Sequence, residues 1–393
     1  MKFKFKIPRQ VFILGMISFF TDFASEMLYP VAPIFLTAAL GASMATVGLI
    51  EGIAEIIANL LKGYFGALSD KVQKRALFVK LGYTLSALVK PLPGFFPNVT
   101  AVASARALDR IGKGIRTSPR DALLAAEADA NNKGAIFGFH RSMDTFGAVA
   151  GPLVALLILF ISGNNYRTVF YFSALPSLGA IYFAFKTKEK ITNKRKREKY
   201  AFVEAWNAAP FELKRLLLLT GIFSLANSSD VFLILRLKEI SHSDAYAIGG
   251  YVYFNAVYAF LSFPAGSLAD KIGKRAVYSA GLLIFATVYF MFASSNNLAL
   301  ILAAFTLYGF YSAATEGVLK AWISDLTDDK FRATVIGAFN TINGFGIMLG
   351  SVLTGILWDA YGAQVPFYIS SGIALIIAPA IFISVRKKNF TKE

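Results

Sequence analysis

The sequence GALSDKVQKR at residues 66–75 returns as GSLADKIGKR at residues 266–275, and each copy follows a long apolar stretch. The second copy keeps the glycine, the leucine, the aspartate and every basic residue; only Ala67, Ser69, Val72 and Gln73 are replaced. A period of about 200 residues covers several apolar segments, so it predicts two homologous helical bundles and not a solenoid of short repeats. We therefore interpret the chain as a doubled membrane unit.

Composition supports a membrane protein. Of the 393 residues, 56% are hydrophobic, and stretches of the roughly 20 apolar residues that cross a bilayer follow one another along the chain. The apolar signal is continuous and does not alternate, so helices are predicted and not barrel strands. The predicted spans are twelve, at 11–35, 43–69, 76–97, 98–123, 135–162, 166–185, 213–238, 245–269, 276–294, 296–324, 332–358 and 365–385.

The predicted spans divide six and six around one long polar stretch. This division predicts an N-terminal bundle at 1–185, a basic cytoplasmic linker at 186–212 and a C-terminal bundle at 213–393. Within the linker, apolar and polar residues alternate from Phe202 to Phe211, which is consistent with an amphipathic helix on the inner membrane surface.

The net charge of +16 follows the predicted topology. Basic residues cluster before the first span and after the second, sixth, eighth and twelfth, whereas the loops at 36–42, 292–297 and 359–365 are nearly free of them. By the positive-inside rule, both termini are cytoplasmic in a multi-pass protein of the cytoplasmic (inner) membrane. The basic residues contact the lipid bilayer in this interpretation, and no nucleic-acid partner is expected.

A second repeat concerns packing and charge. Small residues at these spacings let helices approach closely. At a constant offset, Arg141 and Asp144 in the first half become Asn340 and Asn343 in the second, so the halves differ in buried charge. Three glycines of the fifth predicted span recur 199 residues later in the eleventh: Gly138, Gly147 and Gly151 become Gly337, Gly346 and Gly350.

Three segments resemble motifs of the major facilitator superfamily. The repeated G-x-L-x-D-K-x-x-K-R loops resemble its signature loop, RALDRIGKGIR at 106–116 is similar to its fourth-span pattern, and Gly147-x-x-x-Gly151-Pro152 resembles the first part of the motif of proton-exchanging exporters. Gln73 departs from the usual loop glycine, and residues 153–156 lack the paired glycines that complete the exporter motif. The resemblance implies an all-α integral membrane fold with twelve helices in two six-helix bundles related by a pseudo-two-fold axis. It also implies that the first, fourth, seventh and tenth spans line a central cavity.

These four spans hold many of the ionisable residues, and an ionisable side chain at bilayer depth costs several kcal/mol unless it faces a cavity or a partner. We expect Asp22, Glu26 and Glu316 to carry protons or substrate, with Arg110 as the charge that tunes or replaces them. A permanent salt bridge between Glu316 and Lys320 is an equal alternative. The candidate substrate- and proton-binding residues are Asp22, Glu26, Arg106, Asp109, Arg110, Lys113, Asn227, Asp230, Glu316 and Lys320.

Other polar residues are secondary candidates for the cavity wall. Arg106 and Arg110 are expected to pair with Glu51 and Glu55 at a similar depth, and Arg141 with Asp144 is interpreted as a helix-packing ion pair. No metal-binding spacing is present. The secondary candidates are Glu51, Glu55, His140, Arg141, Asp144, Tyr251, Asn255, Asn340 and Asn343.

The repeated loops and the inner end of the fourth span are candidates for a gate. A charge network between Asp70, Arg75 and the fourth span would hold the inner gate closed; static ion pairing that fixes topology is the alternative. The candidate gating residues are Gly66, Asp70, Lys71, Arg75, Arg116, Arg120, Asp121, Gly266, Asp270 and Arg275.

These features predict a secondary active transporter that works by alternating access. The cation excess of the fourth span favours a small anionic or zwitterionic organic solute, including a metal chelate or siderophore. Protons, or alternatively sodium ions, are expected to be the coupling ion, and no other cofactor is expected. Export is slightly favoured over uptake. The transporter is expected to be a monomer. A multidrug/proton antiporter for lipophilic cations is the alternative. An integral-membrane enzyme would need a nucleophile or metal constellation that the sequence lacks, so no enzymatic activity is expected.

Overall fold

A computed structural model describes residues 7–128, 133–189, 202–328 and 331–384, and these residues are almost entirely helical. They group into two compact units, the first from 7 to 42 and from 53 to 189, and the second from 43 to 52 and from 202 onward. The predicted all-α fold is confirmed. The basic stretch at 190–201 and the charged ends at 1–6 and 385–393 lie outside the described residues.

The first unit contains most of α3 and eight other helices. Its elements are α1 (Arg9–Leu28), α2 (Val31–Ile34) with a π-helical turn (Phe35–Ala39), α3 (Met44–Val72), α4 (Arg75–Val89), α5 (Leu92–Phe95), α6 (Val99–Ala126), α7 (Lys133–Ile161), α8 (Tyr166–Phe172) and α9 (Ala174–Lys186). The first residues of α3 belong to the second unit.

The second unit begins with a short helix inside the predicted linker. Its elements are α10 (Phe202–Ala208), α11 (Phe211–Ala226), α12 (Val231–Ser241), α13 (Asp244–Ile272), α14 (Lys274–Ser294), α15 (Leu298–Asp325), α16 (Arg332–Tyr361) and α17 (Gln364–Ser384). When each short helix is counted together with the longer helix next to it in the chain, the described part of each unit holds six long helical segments.

By length and composition, ten helical segments of the described chain could cross a membrane. The two remaining predicted spans, at 76–97 and 98–123, correspond to α4 with α5 and to α6. Helix α4 has 15 residues, and α6 has 28 but carries several charged side chains. Charges of this kind can lie at bilayer depth when protein groups around them replace water. The interior of the first unit provides such groups, as described below.

The seventh predicted span, at 213–238, lies within one candidate membrane crossing, Phe211–Ser241, but the helix within it is interrupted. Helix α11 ends at Ala226, and Asn227 leaves the helical conformation with φ −90° and ψ 75°. Helix α12 begins at Val231, so Asn227 and Asp230 do not share one helical face. The segment Asn-Ser-Ser-Asp explains the break, because short polar side chains compete with the helix for backbone hydrogen bonds.

Close helix contacts form at four of the six repeated glycines, as predicted. A Cβ at Gly151 would lie 2.5 Å from the Phe23 carbonyl oxygen of α1, and one at Gly147 would collide with the Phe19 carbonyl. In the second unit, Gly346 and Gly350 of α16 lie equally close to α11. The prediction is wrong for Gly138 and Gly337, because a Cβ at either position would have no described neighbouring atom within 4 Å.

The chain itself offers a matched test of this packing. We expect Gly151→Val to lower the stability of the protein by about 1–3 kcal/mol, because the added methyl groups push α7 away from α1. Gly138→Val, on the same helix but facing open space, should change stability by less than about 0.5 kcal/mol. Thermal unfolding of both variants in detergent measures the difference. Equal unfolding temperatures would contradict the packing role of Gly151.

The two copies of the repeated loop turn through residues with positive φ. Gln73 has φ 56° and Gly273 has φ 99°, a range that side chains with a Cβ rarely adopt. In the first copy, the Gln73 side chain donates to the Asp70 carbonyl, a hydrogen bond that partly offsets the strain. In the second copy only glycine fits without strain.

Substituting each of the two residues by the other tests whether Gly273 is needed for the backbone conformation of its turn while Gln73 is not. Gly273→Gln should destabilise the protein by about 1–3 kcal/mol, because the Gly273 backbone has φ 99° and ψ 135°, a conformation that is strained for any residue with a Cβ. Gln73→Gly should stay within about 1 kcal/mol of the parent, because relief of strain and loss of the side-chain hydrogen bond act in opposite directions. Unfolding midpoints of the two variants provide the comparison, and a larger loss for Gln73→Gly would contradict it.

Candidate functional site

The charged residues of α6 meet a buried lysine that the sequence analysis missed. Lys90, at the end of α4, is 5% exposed, and its Nζ lies 3.1 Å from Asp109 Oδ1. The same Nζ donates to the Ser86 carbonyl at 3.3 Å. Lys90 lies well inside the predicted span at 76–97, so the rule applied to the other buried charges would also have found it.

An open cavity adjoins this ion pair inside the first unit. Its volume is about 50 Å³, room for one or two water molecules, and it is lined by Lys90, Arg106 and Asp109 together with Ser25 and apolar side chains of α1, α2, α5, α6 and α8. The Arg106 guanidinium also lies 5.1 Å from the centre of the Tyr29 ring. Two cations and one carboxylate therefore face the cavity.

The inner end of α6 faces α4 and α1. Arg116 is 5% exposed, donates to Ser86 Oγ at 2.6 Å and stacks 4.5 Å above the Tyr83 ring. Arg120 pairs with Asp121 at 2.9 Å and reaches Ser18 Oγ at 3.4 Å. These contacts fix both guanidinium groups within the first unit.

Asp70 pairs with Arg75 within the repeated loop at 2.8 Å, whereas Arg116 and Arg120 have the partners named above. A charge network that joins the loop to α6 stays a prediction. Helix α6 packs closely on α4, where Gly112 and Gly82 let the backbones touch. Gly66, the first residue of the repeated sequence, packs against α6: a Cβ added at this position would lie 2.9 Å from Ser118 Cβ. Lys71 is exposed.

Asp22 is the centre of a second group of charges in the first unit. It lies within electrostatic range of Asp144 on α7 and of Lys113, Arg116 and Arg120 on α6. Asp144 Oδ2 is 3.6 Å from His140 Nδ1 and 4.0 Å from an Arg141 guanidinium nitrogen. Arg141 is largely exposed, so the predicted packing pair is a peripheral contact, and Asp144 belongs with Asp22.

Three further candidate carboxylates, Glu26, Glu51 and Glu55, lie on α1 and α3. Glu55 accepts from Asn59 at 2.9 Å and lies within electrostatic range of Arg110 and Lys113, so the predicted neighbourhood of Arg110 is present without a direct ion pair. Glu51 belongs to the part of α3 in the second unit. Glu26 is half-buried on α1, one turn from Asp22.

In the second unit, Asp230 accepts a hydrogen bond of 2.6 Å from the Tyr308 hydroxyl. Tyr308, Tyr289 and Tyr311 are all buried and were not predicted as site residues, because tyrosines in apolar spans are usually packing residues. Asp230 therefore lies against an aromatic and hydroxyl-bearing wall.

The expected salt bridge between Glu316 and Lys320 is absent from the described contacts. Glu316 accepts instead from the Tyr258 hydroxyl at 2.8 Å, and both Glu316 and Lys320 are exposed. Asn255 donates to the Tyr251 carbonyl at 2.9 Å, and Tyr251 is buried against Phe254. These two residues stabilise α13 and do not form an open wall. Asn340 and Asn343 are half-buried on α16.

The second repeated loop forms its own ion pairs. Lys274, which was not predicted, lies 3.6 Å from Asp270 and 2.6 Å from Asp325 at the end of α15. Arg275 lies 4.7 Å from the centre of the Phe382 ring and does not take part. Gly266 has open space around it. Within the described residues, no three His, Asp or Glu side chains form a group that could hold a metal ion.

Comparison with known proteins agrees with this architecture. The sequence matches the Major Facilitator Superfamily at residues 14–254 and 216–392. An uncharacterised MFS-type transporter of Methanocaldococcus jannaschii is 33% identical over 377 residues, which is 94% of each chain. The class C tetracycline resistance protein of Escherichia coli is 33% identical over 135 residues, 33% of each chain.

A solved structure shows the same fold. The nucleoside transporter NupG superposes with a TM-score of 0.77 at 14% identity, over 97% of this chain and 100% of that chain. The repeated loops, the fourth-span pattern and the fifth-span glycines all lie within the matched residues, so the resemblance inferred from them is confirmed. The chain is a multi-pass membrane protein, and it belongs to the Major Facilitator Superfamily.

Proposed function

We propose that this transporter moves a small anionic or zwitterionic organic solute by proton-coupled alternating access, with export as the favoured direction. The observation that carries the proposal is the cavity of the first unit, where Lys90 and Arg106 face Asp109. Guanidinium and ammonium groups with little access to water bind carboxylates strongly. A solute with a carboxylate, including a metal chelate, matches this excess of positive charge.

Proton coupling is assigned to the group around Asp22 and Asp144. Two carboxylates within electrostatic range of each other favour the binding of one proton between them, and neighbouring cations favour its release. The cations are Lys113, Arg116 and Arg120. Lys90 lies within electrostatic range of Asp22, so the proton group and the cavity are adjacent. An ammonium group of a zwitterionic solute would compete with the proton for these carboxylates, and this competition is the requirement for exchange.

Two further observations support export. The fifth-span glycines Gly147 and Gly151 pack on α1 in the segment that resembles the exporter motif, and the partial relative from Escherichia coli is a resistance protein. The same relative favours a second candidate function, a multidrug/proton antiporter for lipophilic cations, with Asp22 and Asp230 as counter-charges.

The remaining parts of the proposal concern setting and assembly. The protein would lie in the cytoplasmic membrane with both termini in the cytoplasm, as two bundles at 1–185 and 213–393 joined by the basic linker. It would act as a monomer on a small-molecule substrate within the lipid bilayer, with no nucleic-acid partner, no cofactor beyond the coupling ion and no enzymatic activity.

Thermal stabilisation by candidate compounds distinguishes the two substrate classes. The purified protein is heated with amino acids, dicarboxylates, ferric citrate and tetracycline as representatives of zwitterions, anions, chelates and drugs. Compounds that raise the unfolding temperature are then added to everted vesicles carrying a proton gradient, where an exchanged substrate releases protons. Stabilisation by tetracycline and by no carboxylate would favour the antiporter for drugs.

Neutralising the proton group should abolish coupling. We expect Asp22→Asn and Asp144→Asn each to reduce transport driven by a pH gradient at least tenfold, because the proton loses its carboxylate pair. Glu239→Gln is the control, since Glu239 is a half-exposed carboxylate that pairs with Arg236 in the second unit and lies outside the proton group. Full gradient-driven transport by both Asp22→Asn and Asp144→Asn would show that coupling lies elsewhere.

The buried ion pair allows stability and binding to be separated. Lys90→Met leaves Asp109 buried without its partner and should destabilise the protein by about 3–5 kcal/mol. The double variant Lys90→Met/Asp109→Leu removes both charges and should recover most of that stability, yet lose stabilisation by carboxylate compounds because the cavity has lost a cation. Thermal unfolding with and without compound measures both effects. A double variant that still responds fully to carboxylates would exclude Lys90 from the site.

A further inference from the structure

The break in the seventh span leaves carbonyl groups without their helical hydrogen bonds. In a continuous helix, the N–H groups of Ser228, Ser229 and Asp230 would donate to the carbonyls of residues 224, 225 and 226. Instead, the Ser229 N–H donates to Ser351 Oγ of α16 at 3.0 Å. The last bond of α11 is the one from Asn227 N to the Phe223 carbonyl. In the described part of the chain, no backbone donor reaches the next three carbonyls, but those of Ser224 and Leu225 lie against Gly350 of α16.

Two buried hydroxyl groups near the break also lack partners. Ser228 is 4% exposed and Tyr289 is 1% exposed, and among the described residues neither hydroxyl has a hydrogen bond of good geometry. The Tyr289 hydroxyl lies next to the Ser228 and Tyr308 side chains and within electrostatic range of Asp230. Tyr308 in turn donates to Asp230. Polar oxygens therefore converge on the gap between α11 and α12.

The chemistry of these groups matches a small monovalent cation. Every donor is an oxygen, from carbonyls, hydroxyls and one carboxylate. The carbonyls at the C-terminus of α11 carry the negative end of the helix dipole. Calcium and magnesium sites are usually richer in carboxylates or keep several waters. Unwound segments of broken membrane helices and the C-terminal ends of half-helices are the groups that coordinate Na⁺ in other transporter folds.

We propose that the gap between α11 and α12 is a Na⁺ site formed by the Asp230 carboxylate, the Ser228 and Tyr289 hydroxyls and the Ala226 carbonyl at the end of α11. The first unit has no equivalent, because α1 continues through Glu26 to Leu28 without a break. The inference deepens the proposed function. Only the role of Na⁺ as a second coupling ion rests on that function. Binding of the ion can be tested without transport.

The test is binding of ²²Na⁺ to the full chain in lipid nanodiscs, with choline chloride keeping the ionic strength constant. We expect saturable binding that excess NaCl displaces and excess choline chloride does not. Asp230→Asn should weaken binding at least tenfold, and Ser228→Ala and Tyr289→Phe should each weaken it about three- to tenfold. Ser279→Ala and Tyr278→Phe are the matched controls, because these buried residues of α14 lie in the same unit and should leave binding unchanged.

Each outcome bears on the inference. Absence of saturable Na⁺ binding by the folded parent protein overturns it and indicates that water satisfies these oxygens. Binding that persists in Ser228→Ala and Tyr289→Phe, both close in shape to the parent residues, also overturns it even where Asp230→Asn does not fold. If Na⁺ binds as expected but transport does not respond to Na⁺, the site stands and its coupling role fails. If Na⁺ does not bind but proton-driven transport is intact, the inference fails and the proposed function stands.

Discussion

The ion pair between Lys90 and Asp109 is the interaction on which the interior of the first unit depends. Both side chains are nearly buried, and Lys90 Nζ lies 3.1 Å from Asp109 Oδ1. Either charge without its partner would strongly destabilise the fold at this place. The pair holds the end of α4 against α6, and the cavity lies beside it. An apolar pair would serve stability as well or better, so retention of charge at this place is explained better by binding than by folding.

The two units differ in the polar groups that they place among their apolar helices. The first unit places full charges inside: Lys90 and Asp109 form an ion pair between α4 and α6, and Asp22 lies within electrostatic range of Asp144 and Arg116. The second unit replaces two of the equivalent charges by Asn340 and Asn343 and surrounds Asp230 with tyrosine hydroxyls. Its helix is broken between Ala226 and Val231, where no backbone donor reaches the carbonyls of residues 224–226. The two units therefore differ in the chemistry of their interiors, and the two proposals above follow from this difference.

Much of the fold could be predicted from the sequence, because each apolar run has to become a helix in lipid and the repeated loop sets the register of the two halves. The charged stripe of α6 was predicted for the same reason. The break at 227–230 was missed, since four polar residues in a long apolar run do not change its average hydropathy. Lys90 was missed because isolated lysines such as Lys80 and Lys90 do not interrupt an apolar run. The partners of Arg116 depend on the contact between Gly82 and Gly112, and a single sequence does not specify how two helices align.

The central claim is that the cavity beside Lys90 and Arg106 is filled with water and attracts anions. The chain has no cysteine, so Ser25→Cys would place a single thiol on the cavity wall. The direct measurement is the rate at which this thiol reacts with anionic and cationic methanethiosulfonate reagents of similar size. The account predicts that the anionic reagent reacts several times faster, and that neutralising Arg106 removes the preference. No reaction with either reagent, or faster reaction with the cationic one, would contradict it.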